Sequence, residues 1–287
     1  MKISTKESVF LVLKYVVLIF FTILCLYPLL WLFLSSFKSN SELYSNPWGL
    51  PESFSLVNYM QAITEGHILQ YFGNSVIIAV SAVVVAVLLS SMVSYAIMRM
   101  QWKLSKAALQ VFLLGMMIPV YAMIVPLFSM FNKMHLLNTH LAVIIPHIGI
   151  SFPMAIFIMS GFMGALPKEM EEAAVMDGCN IYQIFFKIIM PISQSSIVTV
   201  AVVTFINIWN DLLLPQIFLT DSSKMTLPVG LTEFQGQYTT NYVVEIAAVI
   251  ITIIPSIIVY IWLHKHIKAK YLGQNQVNYP HKLNGIA

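Results

Sequence analysis

Six stretches of the chain contain no Asp, Glu, Lys or Arg: Tyr15 to Phe37, Tyr71 to Met98, Ala107 to Asn132, Leu136 to Pro167, Ile188 to Asn210 and Ile246 to Leu263. A helix needs about 17–25 such residues to cross a bilayer. Polar and apolar residues do not alternate within the stretches, as they would along membrane β-strands. The pattern predicts an all-α integral membrane protein with six transmembrane helices. It divides the chain into a short N-terminus (1–14), a six-span region (15–263) and a tail (264–287). The first stretch is too long for the apolar core of a signal peptide, and no small-residue cleavage site follows it. It reads as an uncleaved first span.

Composition agrees with the pattern. Of 287 residues 59% are hydrophobic and 9% charged, and mean hydropathy is +0.82. A soluble domain carries about 25% charged residues. The net charge of +3 is better explained by orientation than by nucleic-acid binding. Lys2, Lys6, Lys14, Arg99, Lys103, Lys106, Lys168, Lys187, Lys265, Lys268, Lys270 and Lys282 fall on one set of connections and termini. Lys38, Lys133 and Lys224 fall on the other. Positive charge marks the cytoplasmic side, so both termini are expected there. Cys25 and Cys179 suggest neither a disulfide framework nor a metal site.

Within the spans, Ala82, Ala86, Ser90 and Ser94 repeat every four residues, a spacing that lets helices approach closely. Pro119 and Pro126, and Pro146 and Pro153, are each seven apart and can kink a helix where neighbours satisfy the freed carbonyls. Static packing explains them equally. Two external loops are expected, Ser39 to Gln70 with turn-forming "NPWGLPESFS", and Thr220 to Asn241.

One cytoplasmic connection, residues 167–191, has a local architecture. Pro167 can start a short helix. Glu169, Glu171 and Glu172 suit its first turns, where the helix dipole favours negative charge. Ala173 and Ala174 form helix with little bulk, and Gly178 can take the left-handed conformation that ends it. Asn180 and Gln183 make a capping-box pair for a second helix carrying Ile181, Ile184, Phe185 and Ile188 at amphipathic spacing. Pro191 then opens the approach to the fifth span. The expected form is helix, glycine bend, helix, built to dock into a protein groove. The alternative is a loop that merely solubilises an apolar bundle. No nucleophile or ligand cluster accompanies the carboxylates, so catalysis is a poorer reading.

These residues carry a resemblance. Glu172-Ala173-Ala174, three residues, Gly178, nine residues, then Ile188-Ile189-Met190-Pro191 resembles the EAA loop of ABC importer permeases, with Met190 replacing the usual Leu. Asp177 before the glycine is also typical of that loop. "FINIWNDLLLP", "TLPVGLTEFQGQY", "NYM" and "GNSVIIAVSAVVVAVLLSSMVSYAIMR" resemble the maltose-permease-type carbohydrate subfamily. The tail departs from relatives, which often end in a Gly-rich sequence.

The resemblance implies a permease subunit that pairs with a second, similar permease. Two separate ATPase subunits would hydrolyse ATP, and an extracytoplasmic solute-binding protein would deliver the sugar. It implies a bacterial or archaeal cell membrane. Glu172, Ala173, Ala174, Asp177, Gly178 and Pro191 would couple to an ATPase. The chain has no Walker lysine motif, so it is expected to bind no cofactor and to rely on the partners' ATP and magnesium.

In the outer half, Asn207, Trp209, Asn210, Gln235 and Tyr238 are candidates to border a sugar path, since amides bond hydroxyls and aromatic faces stack on sugar rings. Structural packing explains Trp209 equally. A secondary transporter would need ionisable groups inside the membrane. His147, Asp211 and Glu245 are the few on offer, and helix-end solvation or an internal hydrogen bond is the simpler reading of each.

Overall fold

The computed structural model describes residues 5–100, 102–234 and 241–277, and among them every regular element is helical. The chain divides into two compact units, Met1–Leu69 with Gly230–Ile253, and Gln70–Val229 with Ile254–Ala287.

In the first unit α1 (Thr5–Ser35) exposes its apolar side chains over residues 10–30. Two short helices follow, α2 (Asn40–Ser45) and α3 (Val57–Thr64). The expected outer loop is therefore partly helical. Ser39 starts α2 by accepting the Glu42 N–H on its hydroxyl. Lys38 is not a solvated loop cation. It is 2% exposed, and its Nζ donates to the carbonyls of Asn46 (2.8 Å) and Pro47 (3.3 Å). Asn58 Nδ2 donates to the carbonyls of Ser36 and Lys38, which closes the same corner.

In the second unit α4 (Ile68–Arg99) precedes a broken pair, α5 (Ser105–Leu114) and α6 (Ile124–Lys133). Then come α7 (His140–Gly164), α8 (Glu169–Met176), α9 (Ile181–Ile184), a π-helical turn (Phe185–Ile189) and the single turn α10 (Met190–Ile192). They are followed by α11 (Gln194–Trp209) and α12 (Leu213–Phe218); the last two helices, α13 (Leu227–Thr232) and α14 (Tyr242–Val277), each have residues in both units. Helix α14 runs unbroken past residue 263, so residues 264–277 continue as helix from the last apolar stretch.

Among the described residues four helices are long and apolar enough to cross a membrane, and up to six if each of two bent pairs counts as one span. The chain is thus membrane-embedded, and two of the expected spans are each a pair of helices meeting at a bend. Ser105–Met117 and Val120–Lys133 meet at 89°. Pro119 is the cause. It offers no N–H and forces Ile118 into an extended conformation (φ −77°, ψ 118°). Ile181–Ile192 and Gln194–Trp209 meet at 75° around Ser193. There Pro191 cannot donate into the preceding turn, and the π-helical turn lies beside it. Pro146 and Pro153 lie inside a continuous α7, and Pro126 lies in the first turn of α6. The small-residue stripe packs within the chain. Ala82, Ala86, Ser90 and Ser94 are fully buried, and the Ser94 hydroxyl reaches the Ile156 carbonyl on α7 at 3.4 Å.

Candidate functional site

The segment 167–191 folds as its residues predict. Glu169, Glu171 and Glu172 occupy the first turn of α8. Its C-terminus closes as a Schellman motif: Cys179 N–H donates to Ala174 O and Gly178 N–H to Val175 O, both at 3.0 Å. Gly178 has φ +82°, and a Cβ placed there would meet nothing within 4 Å, so the backbone angle alone asks for glycine. Both arms of the capping box that opens α9 are present. Asn180 Oδ1 accepts the Gln183 N–H at 2.9 Å, and Gln183 Oε1 accepts the Asn180 N–H at 2.8 Å.

The two faces of α8 differ. Glu172, Val175 and Met176, at spacing i, i+3, i+4, point outward with Ala173 and Asp177. Met176 is 87% exposed, and Tyr182 on α9 is 70% exposed. Ala174 points inward and is buried against Tyr95, Met159, Met163, Ile184 and Phe185. The two alanines are therefore small for different reasons. Ala173 lies on the open face, whereas Ala174 fits against the bundle. The amphipathic expectation for α9 holds for Ile184 and Phe185, which are buried, but Ile181 is exposed. Pro191 is exposed in α10, two residues before the bend.

Glu171 faces the bundle too, three residues from Ala174, and meets Arg99 at the end of α4. Arg99 Nε and Nη2 lie 2.8 and 2.7 Å from Glu171 Oε2. Arg99 Nη1 also donates to the carbonyls of Met163 (3.3 Å) and Leu166 (2.8 Å), and Nη2 to Pro167 O (3.1 Å). Composition treated Arg99 as one topogenic charge among twelve and Glu171 as one of three dipole-facing acids. Val175 and Met176 lie three and four residues past Glu172, a spacing that puts them on its face, whereas no spacing in the sequence marks the exposed Tyr182.

At the other end of α11 the candidate path residues separate. Asn207 and Asn210 are exposed, three residues apart, and Asn210 Nδ2 donates back to Ile206 O at 2.9 Å. Trp209 is 1% exposed, with Phe205 stacked at 5.3 Å and Phe72 edge-on at 5.7 Å. Its ring is enclosed by the chain's own side chains. Gln235 and Tyr238 lie outside the described residues. The start of the outer loop is pinned by two asparagines. Asn138 Oδ1 accepts the Thr220 and Asp221 N–H groups, and Asn74 Nδ2 donates to the carbonyls of Ser223 and Met225. The Ser223 hydroxyl and N–H hold the Asp221 carboxyl below its ordinary range.

Among the described residues no cluster of His, Cys, Asp or Glu could hold a metal ion. Residues 82–272 match the family described as the binding-protein-dependent transport system inner membrane component. Over 259 residues the chain is 33% identical to the diacetylchitobiose uptake system permease protein NgcG of Streptomyces coelicolor, covering 90% of this chain and 86% of that protein. It is 36% identical over 251 residues to the arabinooligosaccharides transport system permease protein AraQ of Halalkalibacterium halodurans, covering 86% and 89%. A chain from the crystal structure of a bacterial ABC transporter that imports the acidic polysaccharide alginate has the same fold, with TM-score 0.82 and 22% identity over 92% of this chain and 99% of that one. The chain is a membrane-embedded permease and belongs to the binding-protein-dependent transport system inner membrane component family.

Proposed function

We propose that this permease forms half of the translocation pathway of an ATP-driven importer for an oligosaccharide. It would pair with a second, homologous permease and receive sugar from an extracytoplasmic binding protein. The chain is no ATPase itself: it carries no Walker lysine motif, and hydrolysis belongs to separate subunits. Magnesium and ATP enter only through those partners. The oligosaccharide class rests on relatives named for diacetylchitobiose and arabino-oligosaccharides. Counting each bent pair once, the chain has six spans with both termini in the cytoplasm of a bacterial or archaeal cell, an orientation supported by the twelve-to-three cation asymmetry.

The observation that carries the reading is the outward face of segment 167–191. A helix stopped by a left-handed glycine and followed by a side-chain-capped helix presents Glu172, Ala173, Met176, Asp177 and Tyr182 on a preformed knob. This mixed face suits a cleft in an ATPase subunit. Met176 and Tyr182 supply apolar area, and Glu172 and Asp177 supply acceptors for cationic or amide groups. Gly178 and Pro191 shape the segment without offering side-chain bonds. At the outer end Asn207 and Asn210 border the sugar path together with Gln235 and Tyr238, and Trp209 supports that wall from behind. Co-purification with candidate ATPase subunits, followed by sugar-stimulated ATPase measurement in vesicles, tests the assignment. A permease that binds no ATPase and confers no sugar-stimulated hydrolysis refutes it.

A further inference from the structure

We infer that Arg99 and Glu171 are positioning residues that carry movement of the docking segment into the membrane helices. The inference rests on the reading that segment 167–191 seats in an ATPase, and it assigns the step that lies inside this chain.

The geometry has three parts. Arg99 is the last residue of α4, and its side chain is 3% exposed. One guanidinium joins three elements: α4 itself, the carbonyls of Met163, Leu166 and Pro167 around the end of α7, and Glu171 in the first turn of α8. Carbonyls at a helix C-terminus have no intrahelical donor and carry the negative end of the helix dipole. Arg99 is therefore held at Met163 in the last turn of α7 and at Leu166 and Pro167 in the link that follows, independently of Glu171. Glu171 then ties α8 to that fixed cation.

The connection between α7 and α8 is only Ala165 to Lys168, with Pro167 in it. Left alone, so short a link would let α8 swing about Leu166 and Pro167. Two contacts three residues apart on the same face of α8 oppose the swing, Glu171 on Arg99 and Ala174 in the apolar cluster. The neighbouring Glu172 points the other way, into solvent. Two consecutive carboxylates thus divide the work, one holding the chain's own bundle and the other free for a partner.

Arginine is required for this arrangement. A planar fork with five donors can hold one carboxylate and three carbonyls at once. A lysine has three donors on one atom and cannot span these acceptors. A push on α8 is then delivered to α4 and to the end of α7 together. Without the pair, α8 would move on its own and the push would dissipate at the Leu166–Pro167 link.

The test uses the complete importer in vesicles, with its partner permease, ATPase subunits and binding protein. ATP hydrolysed and sugar moved are measured together. Glu171→Gln and Arg99→Lys should reach the membrane and bind the ATPase normally, yet the sugar moved per ATP should fall by roughly tenfold, within the usual range of coupling between sites. Wild-type stoichiometry in both variants overturns the inference. So does failure of both to accumulate, which would make the pair a fold-holding contact only. A rescue keeps the two roles apart. In a background lacking Cys25 and Cys179, Arg99→Cys with Glu171→Cys should be uncoupled, and joining the two thiols with a short bifunctional reagent should restore coupling. No restoration overturns the inference. If the unsubstituted permease fails to bind the ATPase, the docking reading itself falls, and this outcome is visible before any variant is made.

Discussion

His147 Nε2 lies 3.3 Å from Asp211 Oδ2, which joins the middle of α7 to the break that ends α11. Asp211 also opens α12. Its Oδ1 accepts the Leu213 N–H and its Oδ2 the Leu214 N–H, each at 3.3 Å. One carboxylate thus caps a helix and holds a neighbouring span. Read separately, the two residues suit helix-end solvation or an internal hydrogen bond; the structure sets them side by side, with Asp211 bonded to the Leu213 and Leu214 N–H groups and buried His147 Nε2 making no hydrogen bond. Asp211→Ala removes the cap and the contact with His147, and should cost about 1–2 kcal/mol, the upper range of N-cap losses. Asp211→Asn keeps an acceptor for the cap and should cost less. Thermal unfolding of the purified permease in detergent should rank the unsubstituted chain above Asp211→Asn and Asp211→Asn above Asp211→Ala.

The two alanines of the docking segment should respond oppositely to enlargement. Ala174→Leu forces a larger side chain against Met159, Met163 and Phe185, and overpacking of that kind costs about 1–3 kcal/mol. Membrane levels of that variant should drop. Ala173→Leu adds bulk on the open face and should leave levels unchanged while weakening ATPase capture. Quantitative blotting beside co-purification separates the two outcomes.

Gly178 is constrained by backbone angle and not by space. A side chain in the left-handed region costs about 1–2 kcal/mol, and asparagine tolerates it best. Transport activity should therefore order Gly178→Asn above Gly178→Ala above Gly178→Val. Equal activity in all three would show that the Schellman turn does not set the segment's shape.

At the outer end, Asn207→Ala and Asn210→Ala should reduce uptake without lowering the melting temperature by more than a degree or two, because both residues are exposed. Trp209→Ala opens a cavity between Phe72 and Phe205 and should cost about 3–5 kcal/mol. Uptake assays paired with melting curves distinguish loss of a path residue from loss of its support.

Orientation is open to direct labelling. With Cys25 and Cys179 replaced, Val175→Cys sits on an exposed position of α8 and should react with a membrane-impermeant thiol reagent only after the cells are opened. Reaction in intact cells would place the docking segment outside.

What was legible from residues alone is whatever depends on near neighbours along the chain. Charge-free length marks a membrane helix because the bilayer core excludes unpaired charge. Gly178, the Asn180–Gln183 pair and the acids of the first α8 turn act within one or two turns, so their spacing announces the helix–bend–helix. The motif from Glu172 to Pro191 is equally local, and it led to the family. The tertiary structure decided the rest. Nothing near Arg99 points to Glu171, which is 72 residues away, or near His147 to Asp211. A charge in sequence looks the same whether it is solvated or buried against a distant partner. Pro119 breaks its span, whereas Pro146 and Pro153 do not. The ring chemistry is identical at all three, and the difference lies in what the surrounding helices hold in place. Ala173 and Ala174 likewise differ only in which side of α8 meets the bundle. That side is fixed here by Glu171 on Arg99 and by Ala174 in the apolar cluster, partners that lie far away along the chain.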